Sequence, residues 1–159
     1  MTKRRLGAAV VDTSALLCVA RGEPAASLFL DGFSRTDEMF IGAATRAETW
    51  LAIYNLKGPE GAKMIDDLID ALKIKTVPFS EDSLPHFREG GAKYHHKHDD
   101  KARLNLGDLF TYSLAKHLDL PLFFQGTDFE NTDLKNAMKA LGYQMSEKGV
   151  PMTPRGIQR

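Results

Sequence analysis

Asp12, Glu48, Asp108 and Asp128 are the residues of this 159-residue chain whose types and positions could do chemistry together. Asp12 follows the apolar run Gly7 to Val11 without a spacer. Asp128 comes just past Leu122 to Phe124, within Gln125-Gly126-Thr127-Asp128-Phe129. Glu48 and Asp108 each open an expected helix, Thr45 to Leu56 and Leu106 to Leu118. A carboxylate set against a buried run is costly unless its charge is compensated. Several carboxylates at one edge repel one another and raise each other's pKa. A divalent cation removes both problems. The donors are oxygens, and the single Cys18 excludes a CxxC site, so the set selects Mg²⁺, with Mn²⁺ as its substitute, over Zn²⁺. Such a centre suits phosphodiester hydrolysis, using one ion or two about 3.5–4 Å apart.

Each acid also has a plainer reading. Thr45-Arg46-Ala47-Glu48 has the form of a capping box. Asp108 suits a helix start, with Asn105 as the cap. Asp12 can begin a turn, and Asp128 sits beside Gly126 in one. Two other acid-and-metal designs fit poorly. A haloacid-dehalogenase-type phosphatase needs Asp-x-Asp where this chain has Asp12-Thr13-Ser14. A response-regulator receiver needs an acid after its third strand, where this chain has Pro78.

The elements that must position the acids follow from apolar patterning. Gly7–Val11, Met39–Ile41, Ile74–Val77 and Leu122–Phe124 are short, non-alternating runs, as buried parallel strands are. Helices are expected over Thr13–Ala20, from Pro24 to Phe33, over Thr45–Leu56, and from Met64 to Leu72 after a Gly58-Pro59 turn. Another begins within Ser80 to Leu84, and Leu106–Leu118 and Leu134–Leu141 follow. In the Thr45 helix the apolar face reads as Ala47, Trp50, Leu51 and Tyr54. Gly90 to Arg103 lacks apolar periodicity and is expected as a loop. Tyr143–Met145 reads as one more strand. The fold class is α/β, a central parallel sheet with helices on both faces. Ligands of such sheets bind beyond the carboxyl ends of the strands, where Asp12, Glu48 and Asp128 are placed.

Length bounds the chain to one domain, residues 1–146, with 147–159 expected as a mobile tail. The formal net charge is zero, so nucleic acid would be met by a local patch. Lys3, Arg4 and Arg5 precede an apolar stretch, but Asp12 interrupts it, and no run approaches the about 20 apolar residues of a membrane span. A soluble, cytoplasmic protein with no membrane role is expected. Cys18 reads as a small buried hydrophobe.

Val10-Val11-Asp12-Thr13-Ser14-Ala15-Leu16 resembles the opening of PIN-domain ribonucleases, specifically VapC toxins of type II VapBC toxin–antitoxin systems. The likeness continues at Ala47-Glu48 and through Leu104-Asn105-Leu106-Gly107-Asp108-Leu109-Phe110. It resumes at Leu122-Phe123-Phe124-Gln125-Gly126-Thr127-Asp128-Phe129 and Thr132-Asp133-Leu134, holding order and spacing over about residues 8 to 140. The resemblance implies a PIN-like three-layer sandwich. It also implies a Mg²⁺-dependent endoribonuclease that cuts structured RNA, of tRNA or rRNA class, dimerises, and is neutralised by a VapB-type antitoxin. Asp12, Glu48, Asp108 and Asp128 match its catalytic and metal-binding acids. Thr13, Ser14 and Asp133 would support them, and Asp128 competes with Asp133 for the fourth place. The stretch Tyr94 to Arg103 departs from related toxins, and the tail from Gly149 runs past where many relatives stop.

RNA contact is expected from Arg46, Lys93, Lys97, Lys101 and Arg103, with Tyr94 stacking on a base. His95, His96 and His98 could belong to the same loop, to solvent, or to a transition-metal site. Trp50 and Tyr54 read as core, or as dimer or antitoxin surface. Two other functions compete: a catalytically silent PIN-fold module acting through an antitoxin–DNA complex, and a structure-specific DNA nuclease, whose arch or clamp segments this chain lacks.

Overall fold

The apolar runs pair as four parallel strands. The computed structural model describes residues 2–95 and 103–154. Strand β1 (Leu6–Val11) lies between β2 (Thr36–Gly42) and β4 (Leu122–Phe123), and β3 (Lys75–Val77) extends the sheet beyond β2, giving the order β3-β2-β1-β4. Val10 stands opposite Phe40 on one side and Leu122 on the other. From β1 the chain builds outward to β2 and β3, then returns to place β4 against the free side of β1. The direction of winding therefore reverses between β1 and β4, which makes that crevice the favoured ligand position of an open α/β sheet.

Helices cover both faces. Helices α1 (Thr13–Ala20), α2 (Ala26–Ser34) and α3 (Ala43–Ala71) follow β1 and β2. After β3 come a 3₁₀ turn at Glu81–Ser83, α4 (Leu84–Tyr94) and α5 (Leu106–Leu118). The short α6 (Ala137–Ala140) follows β4. Side chains of a strand alternate between faces. Ala9 and Val11 thus enter one core with Phe29, Phe33, Ile53 and Phe123. Val10 enters the other with Leu109, Tyr112, Leu122 and Phe124. The expected three-layer α/β sandwich is the architecture found. Among the described residues no helix is long and apolar enough to cross a membrane.

Several elements differ from their sequence expectations. Helix α3 begins at Ala43 with Gly42 as its N-cap, so Thr45 and Glu48 form no capping box. Its buried face is Thr45, Thr49 and Ile53, whereas Trp50, Leu51 and Tyr54 are exposed, with the Trp50 and Tyr54 rings stacked at 4.8 Å. The three threonine and isoleucine positions recur every four residues, but two of them are polar and do not register as apolar periodicity. The Gly58-Pro59 turn is a kink within one helical run, where Gly58 leaves helical geometry at φ 66°, ψ −159°. The last helix covers only Ala137–Ala140, because Asn136 still bridges to Leu122 and caps it by accepting from Lys139 N.

The largest difference concerns the segment expected as a loop from Gly90. Helix α4 continues to Tyr94, through Gly90 and Gly91. Gly90 is buried against Tyr112 of α5, and a Cβ on it would come within 2.5 Å of that ring. The helix packs here through an absent side chain, which apolar periodicity cannot register. Leu104 N donates to the Tyr94 carbonyl (3.0 Å), and the His95 ring meets the Leu104 carbonyl at 2.7 Å. His96, Lys97, His98 and Lys101 lie outside the described residues. Residues 147–154, expected within a tail, include β6 (Pro151–Met152), antiparallel to β5 (Gln144–Met145); residues 155–159 lie outside the description.

Gly90→Ala is expected to destabilise the fold by about 1–3 kcal/mol through overpacking on Tyr112. At Gly91 an added Cβ meets only Leu109, at 3.9 Å. There the better helix former should be neutral or stabilising by up to about 1 kcal/mol. Urea unfolding midpoints compare the two variants; equal effects would contradict the close helix contact.

Candidate active site

Strand β1 delivers Asp12 to the crevice. Val11 is fully buried and Asp12 nearly so, at 5% exposure. The Asp12 amide donates to the Phe123 carbonyl (2.9 Å), which fixes the residue beside the end of β4. Asp12 is the N-cap of α1: its Oδ2 accepts from Ser14 N (3.0 Å) and Ser14 Oγ (2.7 Å), and its Oδ1 accepts from Thr111 Oγ1 (2.9 Å). Burial still dominates over those hydrogen bonds and raises its pKa.

Helix α5 delivers Asp108. Asn105 Oδ1 accepts from Asp108 N (2.8 Å), and Asp108 Oδ2 accepts from Asn105 N (3.0 Å), a reciprocal capping box. The plainer reading of Asp108 is therefore correct, and it coexists with a place in the site. Burial, followed by repulsion from Asp12, Asp128 and Glu48, pushes its pKa up to about 7 despite the Asn105 amide. Glu48 is exposed as a residue, but its carboxylate turns inward. Thr13 Oγ1 donates to Oε1 (3.0 Å), and Oε2 lies over Gly107, where a Cβ would overlap it. Local burial first, and Asp12 after it, raise the Glu48 pKa. Asp128 is exposed on the turn after β4, within electrostatic reach of Asp108.

A hydroxyl network that the sequence reading missed ties these acids together. Thr45, Thr49 and Thr111 are at most 1% exposed. Thr111 gives its only proton to Asp12, so Thr45 Oγ1 donates to Thr111 Oγ1 (3.1 Å). Thr49 Oγ1 donates to the Thr45 carbonyl (2.8 Å) and stands 2.8 Å from Thr13 Oγ1, which in turn serves Glu48. The available signal was the spacing Thr45, Thr49, Ile53, one stripe of a helix. Ser14 also links the two strand ends, since Gln125 N donates to its Oγ (3.0 Å).

Asp133 belongs elsewhere. It accepts from Lys116 Nζ (2.8 Å) and from the hydroxyls of Tyr112 (2.8 Å) and Tyr94 (3.3 Å). Partial burial works against its charge, but the Lys116 and Tyr112 hydrogen bonds outweigh it and its pKa is lowered. Asp133 is thus charge-balanced, whereas the other four acids crowd one another. Tyr94, expected to stack on RNA, is held in this network. Arg46 faces Asp66 (3.0 Å) and Thr76 (2.9 Å), and Lys93 pairs with Glu89 (2.7 Å). Arg103 is exposed.

The donor chemistry fits a hard divalent cation: oxygen only, anionic and electrostatically unbalanced. The donor side chains nevertheless stand apart. Among the described residues they do not form a group of three or more with the spacing of a finished metal site.

Comparison with known proteins gives concordant likenesses. A model of the PIN domain matches residues 9–135. Ribonuclease VapC42 of Mycobacterium tuberculosis is 30% identical over 128 residues, covering 80% of this chain and 98% of that protein. Ribonuclease VapC30 of the same species is 33% identical over 125 residues, covering 79% and 95%. Among solved structures, M. tuberculosis VapC20, a sarcin-ricin loop cleaving toxin, superposes with a TM-score of 0.65 at 12% identity, over 79% of this chain and 95% of that one. VapBC2 from Rickettsia felis, bound to a promoter DNA fragment, gives 0.65 at 15% identity, over 81% and 96%.

The crowding has a consequence for stability. Asp108 keeps its proton to about pH 7 when folded but only to its ordinary value of 3.8 when unfolded. Its contribution is therefore present below that lower value and lost as pH rises through about 7; Asp12 and Glu48 shift in the same direction. In EDTA, the thermal midpoint should fall between about pH 5 and about pH 7.5, and Asp108→Asn should flatten the fall. A variant whose midpoint drops as steeply as the parent's would remove Asp108 from the crowding.

Proposed function

The chain belongs to the PIN-domain family, alongside the VapC ribonucleases, and on that premise we propose that it is a Mg²⁺-dependent endoribonuclease toxin. The observation that carries the reading is the convergence of Asp12, Glu48, Asp108 and Asp128 at the β1–β4 crevice, where burial first and the neighbouring acids after it push Asp108 up to about 7. Asp12 and Asp108 are assigned as the principal metal ligands, then Glu48, then Asp128. Mn²⁺ can replace Mg²⁺, since both accept the same oxygen donors. A cation bound there would polarise the scissile phosphate, favour ionisation of the attacking water and offset charge on the leaving oxygen.

The chain's own residues do the positioning. Thr111 and Ser14 hold the Asp12 carboxylate in one orientation, and Thr13 holds one oxygen of Glu48, leaving Oε2 turned toward α5. The N-terminus of α5 adds the positive end of its dipole beside Glu48 and Asp108. Asp133 is assigned a supporting place in the scaffold.

The substrate is RNA of the tRNA or rRNA class, and the setting is the cytoplasm. A VapB-type antitoxin and a second copy of the chain are the proposed partners. Exposed Trp50, Leu51 and Tyr54 on α3 support a protein-binding surface, because clustered exposed apolar groups mark such sites.

The antitoxin-free protein should cleave RNA in Mg²⁺, and EDTA should abolish cleavage. Asp12→Asn and Asp108→Asn should each lose about a hundredfold or more. Asp133→Asn should keep most activity but lower the thermal midpoint. Fragment yields from total RNA, with circular dichroism to verify folding, read all three. Full activity in both site variants would overturn the assignment. Absence of cleavage in the parent protein would favour the silent module.

A further inference from the structure

Residues 136–159 lie beyond the stretch matched by the family model, and part of this segment packs on the loop that carries Asp128. Strands β5 and β6 pair Gln144 with Met152 and Met145 with Pro151. The turn between them is tied internally. Ser146 N donates to the Val150 carbonyl (2.8 Å), Gly149 N to the Ser146 carbonyl (2.9 Å), and Val150 N to Ser146 Oγ (3.1 Å). Met145 and Val150 pack against the core, and Gly149 and Pro151 are buried. The hairpin is thus a fixed object.

From it a hydrogen bond reaches the loop after β4: Gly126 N donates to the Gly149 carbonyl (2.9 Å). The two backbones approach so closely that a Cβ on Gly149 would overlap the Gly126 carbonyl, and Gly149 itself has φ 71°. The same loop is also held at Gln125. Gln125 N donates to Ser14 Oγ, which donates to Asp12, and Gln125 Nε2 donates to Glu23 Oε2 (3.0 Å). Residues 125 and 126 are therefore clamped between the principal acid's own partner and the hairpin, two residues ahead of Asp128.

We infer that the β5–β6 hairpin is a brace that fixes the distance of Asp128 from the other three carboxylates, with Gly149 as its positioning residue. The inference rests on the reading of those acids as a metal-dependent ribonuclease centre. Asp128 is exposed and carries the same charge as Asp108, which lies within its electrostatic reach, so a loop held only through Gln125 would let it retreat toward solvent. Loss of the brace then weakens metal binding through Asp128. Saturating metal draws the carboxylate back, so the maximal cleavage rate changes little.

The test uses the full chain and two variants. Gly149→Ala forces the backbones apart, and Ser146→Ala loosens the hairpin turn without adding atoms. Both should speed amide hydrogen exchange at residues 126–130. Both should weaken Mn²⁺ binding, read by calorimetry without RNA, by about tenfold. Cleavage at saturating Mg²⁺ should stay within about threefold of the parent. In an Asp128→Asn background the Mn²⁺ effect of either variant should vanish, because the brace acts through that carboxylate. Unchanged exchange at 126–130, or a Mn²⁺ effect undiminished in the Asp128→Asn background, overturns the brace. Should Gly149→Ala fail to fold, Ser146→Ala supplies the same comparisons. A parent chain that binds Mn²⁺ but cuts no RNA overturns the ribonuclease reading, and the exchange and Mn²⁺ data still decide the brace.

Discussion

A carboxylate at the end of a strand sealed from water has to be held, and the structure around Asp12 is arranged by that need. Val11 brings the chain through a core closed on both faces, so Asp12 emerges with almost no solvent. An unpaired buried charge is among the costliest features a fold can contain. Hydroxyls and backbone amides meet the charge on Asp12. The Ser14 side chain and backbone take one carboxylate oxygen, and Thr111 takes the other. Those partners in turn fix α1, α5 and the loop after β4 to one point. The placement of Glu48, through Thr13, Thr49 and Thr45, extends the same network.

Charge balance separates two aspartates that look alike in the sequence. Asp128 and Asp133 lie five residues apart, each in a polar turn after the same strand. Asp133 meets a lysine and two tyrosine hydroxyls, and its charge is favoured. Asp128 faces acids, and its effect is to raise the Asp108 pKa. A group whose ionisation is stabilised by its surroundings is already satisfied. A group that adds to an unbalanced negative field leaves something for a cation to do. The Lys116–Asp133–Tyr112 cluster also joins α5 to the segment before α6, so its role in the scaffold follows from its contacts.

The parallel strands, and the candidate acids at their ends, were legible because buried parallel strands are uniformly apolar, and an acid that follows one stands out. Val10, Val11, Leu122 and Phe123 announce themselves in that way. What escaped the sequence is contact made without apolar side chains. The buried stripe of α3 is built on Thr45 and Thr49, whose hydroxyls are satisfied by the Thr111 hydroxyl and by the Thr45 backbone carbonyl. A pattern search then selects the outward Trp50, Leu51 and Tyr54 instead. The end of α4 escaped for the related reason that Gly90 contributes a gap for Tyr112 rather than a side chain. The pairing of the loop after β4 with the hairpin turn is a backbone hydrogen bond between two glycines, and composition carries no trace of it.

Gly107 shows how such invisible contacts reach the chemistry. In Leu106-Gly107-Asp108 the glycine sits in the first turn of a regular helix. It has no positive φ to explain it, and a helical glycine costs about 1 kcal/mol relative to alanine. Its value lies in the space above it, which the Glu48 carboxylate occupies. Any larger residue would push Glu48 off the α5 N-terminus, away from both the helix dipole and Asp108. Burial first, and the neighbouring carboxylates including Glu48 after it, raise the Asp108 pKa, so the helix gives up local stability at Gly107 to concentrate charge at the site. The capping box on the same turn compensates: Asn105 and Asp108 satisfy two amides that the helix start would otherwise leave open. With Oδ2 of Asp108 engaged by the Asn105 amide, helix capping and the proposed chemistry share one carboxylate.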